Sequence, residues 1–270
     1  METKKAKKGK TGQTGQNMSE DNWRRPLNRI EFGKDEVHVW RASLAQDPAT
    51  VSELSALLAP DERHRAEKYY RPVDRDHFIV ARGILRKIIS LYLSISPGAL
   101  QFTYNEYGKP DIAGHQNDRN LNFNLSHSKD LVLYAFRLEG GLGIDIEYMR
   151  DDFATLEIAE HFFAKDEVEA LRSLPVDQRV KAFFNCWSRK ESYIKALGMG
   201  VSFPLDRFAV SLAPGDAPAL LKVEDDDREP DRWKMYELLP GNGYAAAVIV
   251  ENPPVVLRQW DWDFGLTQSR

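Results

Sequence analysis

"GLGIDIEY", residues 141–148, sets apolar Leu142, Ile144, Ile146 and Tyr148 in alternation with Gly143, Asp145 and Glu147. Alternation with a period of two is the pattern of a β-strand that turns one face into a core. The other face then carries two carboxylates on the same side, their Cα atoms about 6.6 Å apart at a rise of about 3.3 Å per residue. Asp and Glu are depleted in strands, and like charges side by side repel. Solvent is the ordinary place for such a face. A cation held between the two carboxylates would also remove the repulsion.

Short strands are also expected on either side of this one. "VHVWRA" (37–42) is an early strand, and "QFTY" (101–104), "LNFNL" (121–125) and "LVLYAFR" (131–137) precede the opening stretch. "RFAVSL" (207–212), "RWKMYELL" (232–239), "GYAAAVIV" (243–250) and "VVLRQWDW" (255–262) follow it. Helices are expected from Asp47–Pro48 to Leu58, ended by Pro60, then in a short basic segment capped by Asp61, and from about Asp74 to Leu93. They return from Phe153 to Leu197 with a break at Pro175. Helices and strands thus occur twice, dividing near Gly140 and Gly141. This order fits α+β rather than a doubly wound sheet. The expected organisation is a disordered basic tail (1–22), an N-terminal subdomain (23–140) and a C-terminal subdomain (141–270).

Composition narrows the class. The chain has 270 residues, 42 % apolar and 29 % charged, ordinary for a soluble globular protein. No apolar run reaches the roughly 18 residues of a membrane span. The single Cys186 cannot pair within the chain, which fits a reducing, cytoplasmic setting, and a core role suits it better than a catalytic one. The tail carries five lysines with no apolar segment behind them, so it is not a secretory signal. Without it, 32 basic side chains face 38 acidic ones, a net charge of −6. Such a body is a poor general binder of nucleic acid, and any polyanion must meet a local basic cluster or a metal.

The second informative stretch is "FFNCWSRKESYIKALG" (183–198). At 100° per residue Phe183, Trp187, Ile194 and Leu197 form one apolar arc, with Glu191 at its edge and Lys195 one turn further on. Alone, Glu191 and Lys195 read as a surface pair worth about 0.3–0.5 kcal/mol. Together with Asp145 and Glu147, Glu191 makes three carboxylates able to surround one hard cation such as Mg²⁺, which takes oxygen ligands and leaves positions for water and phosphate.

"NFNLSHSKD" (122–130) puts Ser126 and His127 on a strand, where adjacent side chains point to opposite faces. That argues against a nucleophile pair, and no G-x-S-x-G elbow surrounds the serine. His127 suits a donor to an anion, or an ordinary turn histidine. "YGKP" (107–110) is a turn whose Lys109 stem and backbone can meet a flat ring. Arg82 and Arg86 share a helix face and are able to grip a phosphate. No Walker loop, G-x-G-x-x-G or zinc spacing is present.

"YGKP", "FNLSHS", "GIDIE", "FFAKDE" and "WSRKESYIKALGMG", in this order over residues 60–210, resemble the 4′-phosphopantetheinyl transferases of the large monomeric, surfactin-synthetase-activating type. The resemblance implies an α+β fold of two similar subdomains with coenzyme A in the cleft between them. It implies transfer of the phosphopantetheine arm to a serine of an apo carrier protein (acyl, peptidyl or aryl), with release of 3′,5′-ADP and dependence on Mg²⁺ or, in its place, Mn²⁺. By position, Asp145, Glu147 and Glu191 match the metal ligands, and Lys195 matches the lysine on the pyrophosphate. Ser126 and His127 match the nucleotide end, where the histidine touches the 3′-phosphate. Lys109 and Pro110 match the adenine turn. Arg65 and Arg82 are the matches for the 3′-phosphate site, with Arg63 and Arg86 as further candidates. The base is Glu191 or a metal-bound water. Two other classes use the same residues: a Mg²⁺-dependent nucleotide phosphohydrolase, and a non-catalytic module that binds coenzyme A or a carrier.

Overall fold

The structure, a computed structural model, describes residues 23–25, 30–200, 203–252 and 255–262; the basic tail 1–22 lies outside the described residues. The first half runs β1 (Glu36–Ser43), α1 (Pro48–Ser55), α2 (Pro60–Glu67), α3 (Pro72–Leu93), β2 (Phe102–Tyr104), β3 (Pro110–Ile112), β4 (Asn122–Ser128) and β5 (Leu131–Arg137). The second runs β6 (Leu142–Tyr148), α4 (Leu156–Phe162), α5 (Lys165–Ser173), α6 (Val176–Leu197), β7 (Phe208–Val210), β8 (Leu220–Val223), α7 (Glu229–Arg232), β9 (Trp233–Leu238), β10 (Tyr244–Glu251) and β11 (Val256–Asp261).

Two sheets lie face to face. One has the order β11-β1-β5-β4 and the other β6-β10-β9. Their facing surfaces meet through Val39, Leu133 and Ala135 on one side and Ile144, Ile146 and Val248 on the other. The outer surface of the first sheet, with Trp40, Tyr134 and Phe136, packs with Ile84, Leu85 and Ile88 of α3. On the outer surface of the second, Ala245 and Ile249 pack with Phe183, Phe184 and Ile194 of α6. The result is an α+β architecture of four layers, helix–sheet–sheet–helix, with each fully buried aliphatic side chain contributing about 1.5–3 kcal/mol.

Local sequence explains the helix ends. The Asp47 carboxylate accepts from the N–H groups of Ala49 and Thr50, capping α1. Pro72 opens α3 at a position where its missing N–H costs nothing. The break at Pro175 starts α6, and Gly198 ends it in the left-handed conformation at φ 70°. No helix of the described residues is long and apolar enough to cross a membrane.

Four expectations change. Asp61 does not cap the basic helix; α2 begins at Pro60 behind Ala59, and Glu62 accepts from the Ala59 N–H. The short strands β3 and β8 have too few residues to show a period. The chain's end does not stay with residues 141–252: β11 pairs in parallel with β1 and completes the first sheet. Finally, β6 is not half-buried. Its carboxylate face lies under α6, and Asp145 is only 2 % exposed.

Candidate functional site

The site is built where α6 crosses β6. Gly143 makes the crossing close: a Cβ there would stand 1.9 Å from the Ser192 carbonyl oxygen and 2.5 Å from the Ala196 nitrogen. The helix is also held from its far side. The Lys190 ammonium is buried 2.7 Å from Glu167 Oε2 of α5 and donates to the Leu205 carbonyl at 2.8 Å. Fastened on both sides, α6 turns Glu191 and Lys195 toward the outer face of β6.

There Asp145 Oδ1 accepts from Lys195 Nζ at 2.6 Å and from Ser126 Oγ at 2.8 Å. Lys195 Nζ also donates to Ser126 Oγ at 2.8 Å. The other oxygen, Asp145 Oδ2, is buried with no hydrogen-bond partner. Two carboxyls flank it electrostatically. Burial, then the neighbouring Asp145, raises Glu147 to about 7, opposed by the Ser128 hydroxyl and Lys195. Burial and then Asp145 likewise raise Glu191, opposed by Lys195.

Strand β4 supplies the support. It runs beside β6 and joins it through side chains. Asn124 Oδ1 accepts from the Ile144 N–H at 3.0 Å, and Ser126 bonds Asp145. Ser128 Oγ donates to Glu147 Oε2 at 3.1 Å and accepts from the Tyr148 N–H at 3.0 Å. These three side chains alternate along one face of β4, a polar stripe that was present in "NFNLSHS" and not read as a seam. Ser126 therefore stands beside Asp145 and Lys195.

His127 points the other way, to an exposed surface of β4. Partial burial of its ring lowers its pKa first, followed by Lys195 and by His77 of α3, with Asp145 opposing. His77, which pattern reading passed over, pairs with Asp130 at 3.8 Å. Lys109 and Pro110 lie on the β2–β3 hairpin, and Lys109 Nζ donates to the Lys195 carbonyl at 2.6 Å. Arg65 is exposed on α2 with its guanidinium 5.4 Å from the Phe78 ring centre.

The expectation that Arg82 and Arg86 together grip a phosphate is corrected. Both grip Glu62, at 3.1 Å and 2.7 Å. Arg86 is fully buried and also donates to the carbonyls of Pro97 and Leu100. Arg82 additionally donates to Tyr104 Oη at 3.1 Å, and its buried Nη1 has no partner. Arg63 donates to the Leu58 carbonyl. Cys186 is buried in the core, its thiol pushed well up by burial and then Glu167.

The donor set suits a hard divalent cation in its chemistry: an orphaned buried carboxylate oxygen, and two further carboxyls that its charge raises. It is not a finished cage. Among the described residues no group of three or more His, Cys, Asp or Glu side chains stands ready to hold a metal ion. The expected convergence of three acidic side chains is thus not met as the side chains stand, and the Lys195 ammonium pairs with Asp145 Oδ1. A separate cleft of about 610 Å³ between α1, α2 and α3 is lined by Arg63, Glu67 and Arg75 and holds none of these carboxylates.

Comparison with known proteins agrees with the motif order. The family described as "4′-phosphopantetheinyl transferase superfamily" matches residues 141–249, and "4′-phosphopantetheinyl transferase, N-terminal" matches 40–138. The chain is 38 % identical to 4′-phosphopantetheinyl transferase HetI of Nostoc sp., over 86 % of this chain and 95 % of that protein. It is 33 % identical to 4′-phosphopantetheinyl transferase Sfp of Bacillus subtilis, over 73 % of this chain and 84 % of that one.

Proposed function

Because the chain belongs to the 4′-phosphopantetheinyl transferase family, we propose that it moves the phosphopantetheine arm of coenzyme A to a serine of an apo carrier protein, as a cytoplasmic monomer that uses Mg²⁺. The serine oxygen bonds to the phosphorus that bears the pantetheine arm. The bond from that phosphorus to the bridging oxygen of the diphosphate breaks, and 3′,5′-ADP leaves with that oxygen.

One observation carries the reading: the buried, unpartnered Asp145 Oδ2, with Lys195 on the opposite oxygen and Glu147 and Glu191 near enough for the Asp145 charge to raise both carboxyls. Asp145, Glu147 and Glu191 would hold the ion, and Mg²⁺ bound there supplies Lewis-acid polarisation of the diphosphate. Ser126 and Ser128 fix the orientation of Asp145 and Glu147. Lys195 offsets charge developing on the departing 3′,5′-ADP, a task that a positioned cation performs without covalent help. Glu191, whose carboxyl is held above the usual carboxylate range, takes the proton of the serine. Exposed His127, with Arg65, receives the 3′-phosphate, while Pro110 and the aliphatic stem of Lys109 lie against the adenine.

The test is incubation with coenzyme A, Mg²⁺ and a panel of apo acyl, peptidyl and aryl carriers, followed by mass spectrometry. Gain of the phosphopantetheine mass on at least one carrier, lost on chelation, is expected. Cleavage of coenzyme A without any carrier would instead identify a phosphohydrolase. Binding of coenzyme A that is indifferent to Mg²⁺, with no turnover, would identify a binding module.

A further inference from the structure

The β2–β3 hairpin belongs to the first half of the chain, yet it closes on the last turn of α6 in the second. Lys109 Nζ donates to the Lys195 carbonyl at 2.6 Å, and Asn105 Nδ2 donates to the Gly198 carbonyl at 3.0 Å. Carbonyls of a helix's last turn lack the partners of its interior and carry the negative end of the helix dipole. That of Lys195 accepts, besides the ammonium, from the capping Gly198 N–H at 3.3 Å. An ammonium and an amide are the groups such a terminus accepts best. Gly198 ends the helix at φ 70°, a conformation that a side chain would strain, and Asn105 Nδ2 and Lys109 Cδ pack beside it.

The hairpin is stiff where it makes these contacts. Asn105 Oδ1 accepts from the N–H groups of Tyr107 and Lys109, at 3.0 Å and 2.8 Å. Gly108, at φ 80°, supplies the left-handed corner that a side chain would strain. One asparagine thus ties its own turn and the helix end at once. The residue whose carbonyl Lys109 holds is the one whose ammonium reaches Asp145 and Ser126.

We propose that Lys109 is a positioning residue: its ammonium, with the Asn105 amide, latches the end of α6 to the hairpin and so aims the Lys195 side chain at Asp145. This rests on the role of Lys195 given under Proposed function. It separates two parts of Lys109: the stem stays available to the nucleotide, and the ammonium belongs to the helix end. Such a link makes seating of the nucleotide on the hairpin and placement of Lys195 one mechanical unit.

The test uses Lys109→Met, which keeps the stem and removes the ammonium, with Lys109→Arg, Lys195→Met and the double variant Lys109→Met/Lys195→Met. Each is assayed in the full chain with coenzyme A and a carrier that the wild type modifies. We expect Lys109→Met to lower kcat about tenfold with KM for coenzyme A within twofold, and Lys109→Arg to recover most of the loss. In the double variant Lys109→Met should cost nothing beyond Lys195→Met, the mark of a residue acting only through another. Faster amide exchange at residues 195–198 in Lys109→Met should accompany the loss. A raised KM at unchanged kcat, or independent losses that multiply in the double variant, would overturn the latch and leave the role of Lys195 standing. A Lys195→Met variant with wild-type turnover would overturn both.

Discussion

Lys195 Nζ lies 2.6 Å from Asp145 Oδ1, so the end of one long helix is joined to the middle of a strand fifty residues earlier. The pair is asymmetric. Lys195 is partly exposed, its side chain 29 % accessible, whereas that of Asp145 is 3 % accessible. The ammonium is the more open member of the pair, and the carboxylate is the buried one. Asp145→Asn keeps the shape and the Ser126 contact but removes the charge. It should lower kcat/KM by about 10²–10³-fold with melting temperature little changed, since a lost preorganised charge costs that much. Activity within threefold of wild type would refute the role of this carboxylate.

Gly143 controls how closely α6 lies on that strand. Gly143→Ala would drive a methyl into the Ser192 carbonyl, a backbone atom that cannot rotate away. The helix must lift, and stability should fall by about 3 kcal/mol, the upper range for overpacking. Urea unfolding measures it, and activity should fall with it because Glu191 and Lys195 move together. A variant of normal stability would mean that the helix has freedom not visible in this packing.

Glu62 holds Arg82 and Arg86, whose side chains are 7 % and 0 % accessible. Glu62→Ala would leave both cations buried beside no carboxylate and also free the Ala59 N–H. Removing one partner of a buried ion pair costs about 3–5 kcal/mol. Equilibrium unfolding should find that loss. Arg86→Met removes one charge of the three and should cost less than Glu62→Ala.

His38 gives the fold a pH dependence remote from the site. It is 1 % exposed, hydrogen-bonded to Tyr92 Oη at 2.9 Å, and burial, opposed by Glu36, lowers its pKa from 6.5 to about 4. The unfolded chain therefore binds this proton first, and stability rises with pH across the window. His38 withholds nothing above about pH 6.5 and costs progressively more as pH falls toward 4, at most about 3 kcal/mol at 1.36 kcal/mol per unit. Comparing wild type and His38→Gln by denaturation at pH 7.5 and pH 5 checks this. The variant should lose less stability than wild type on acidification.

Much of the fold was legible because its long elements repeat themselves. Alternation in "GLGIDIEY", the apolar run "LVLYAFR", and Pro175 and Gly198 around α6 are local signals that the tertiary structure has no reason to reverse. The misses were of another kind. The short strands β3 and β8 carry no period, and β11 gives no hint in its own residues that its partner lies more than two hundred positions earlier. Arg82 and Arg86 share a helix face, as spacing predicted, but spacing could not say that Glu62 of a neighbouring helix would occupy them.

The sequence by itself determined which residue types were available for chemistry and on which face of which element each stood, because backbone periodicity is a property of a few adjacent residues. Only the tertiary structure decided that the charged face of β6 would be covered, that Ser126 and Lys195 would share one carboxylate oxygen, and that the other would be left without a partner. Those outcomes depend on which distant surfaces meet. Meeting is settled by burying apolar area over the whole chain, a sum that no single stretch contains.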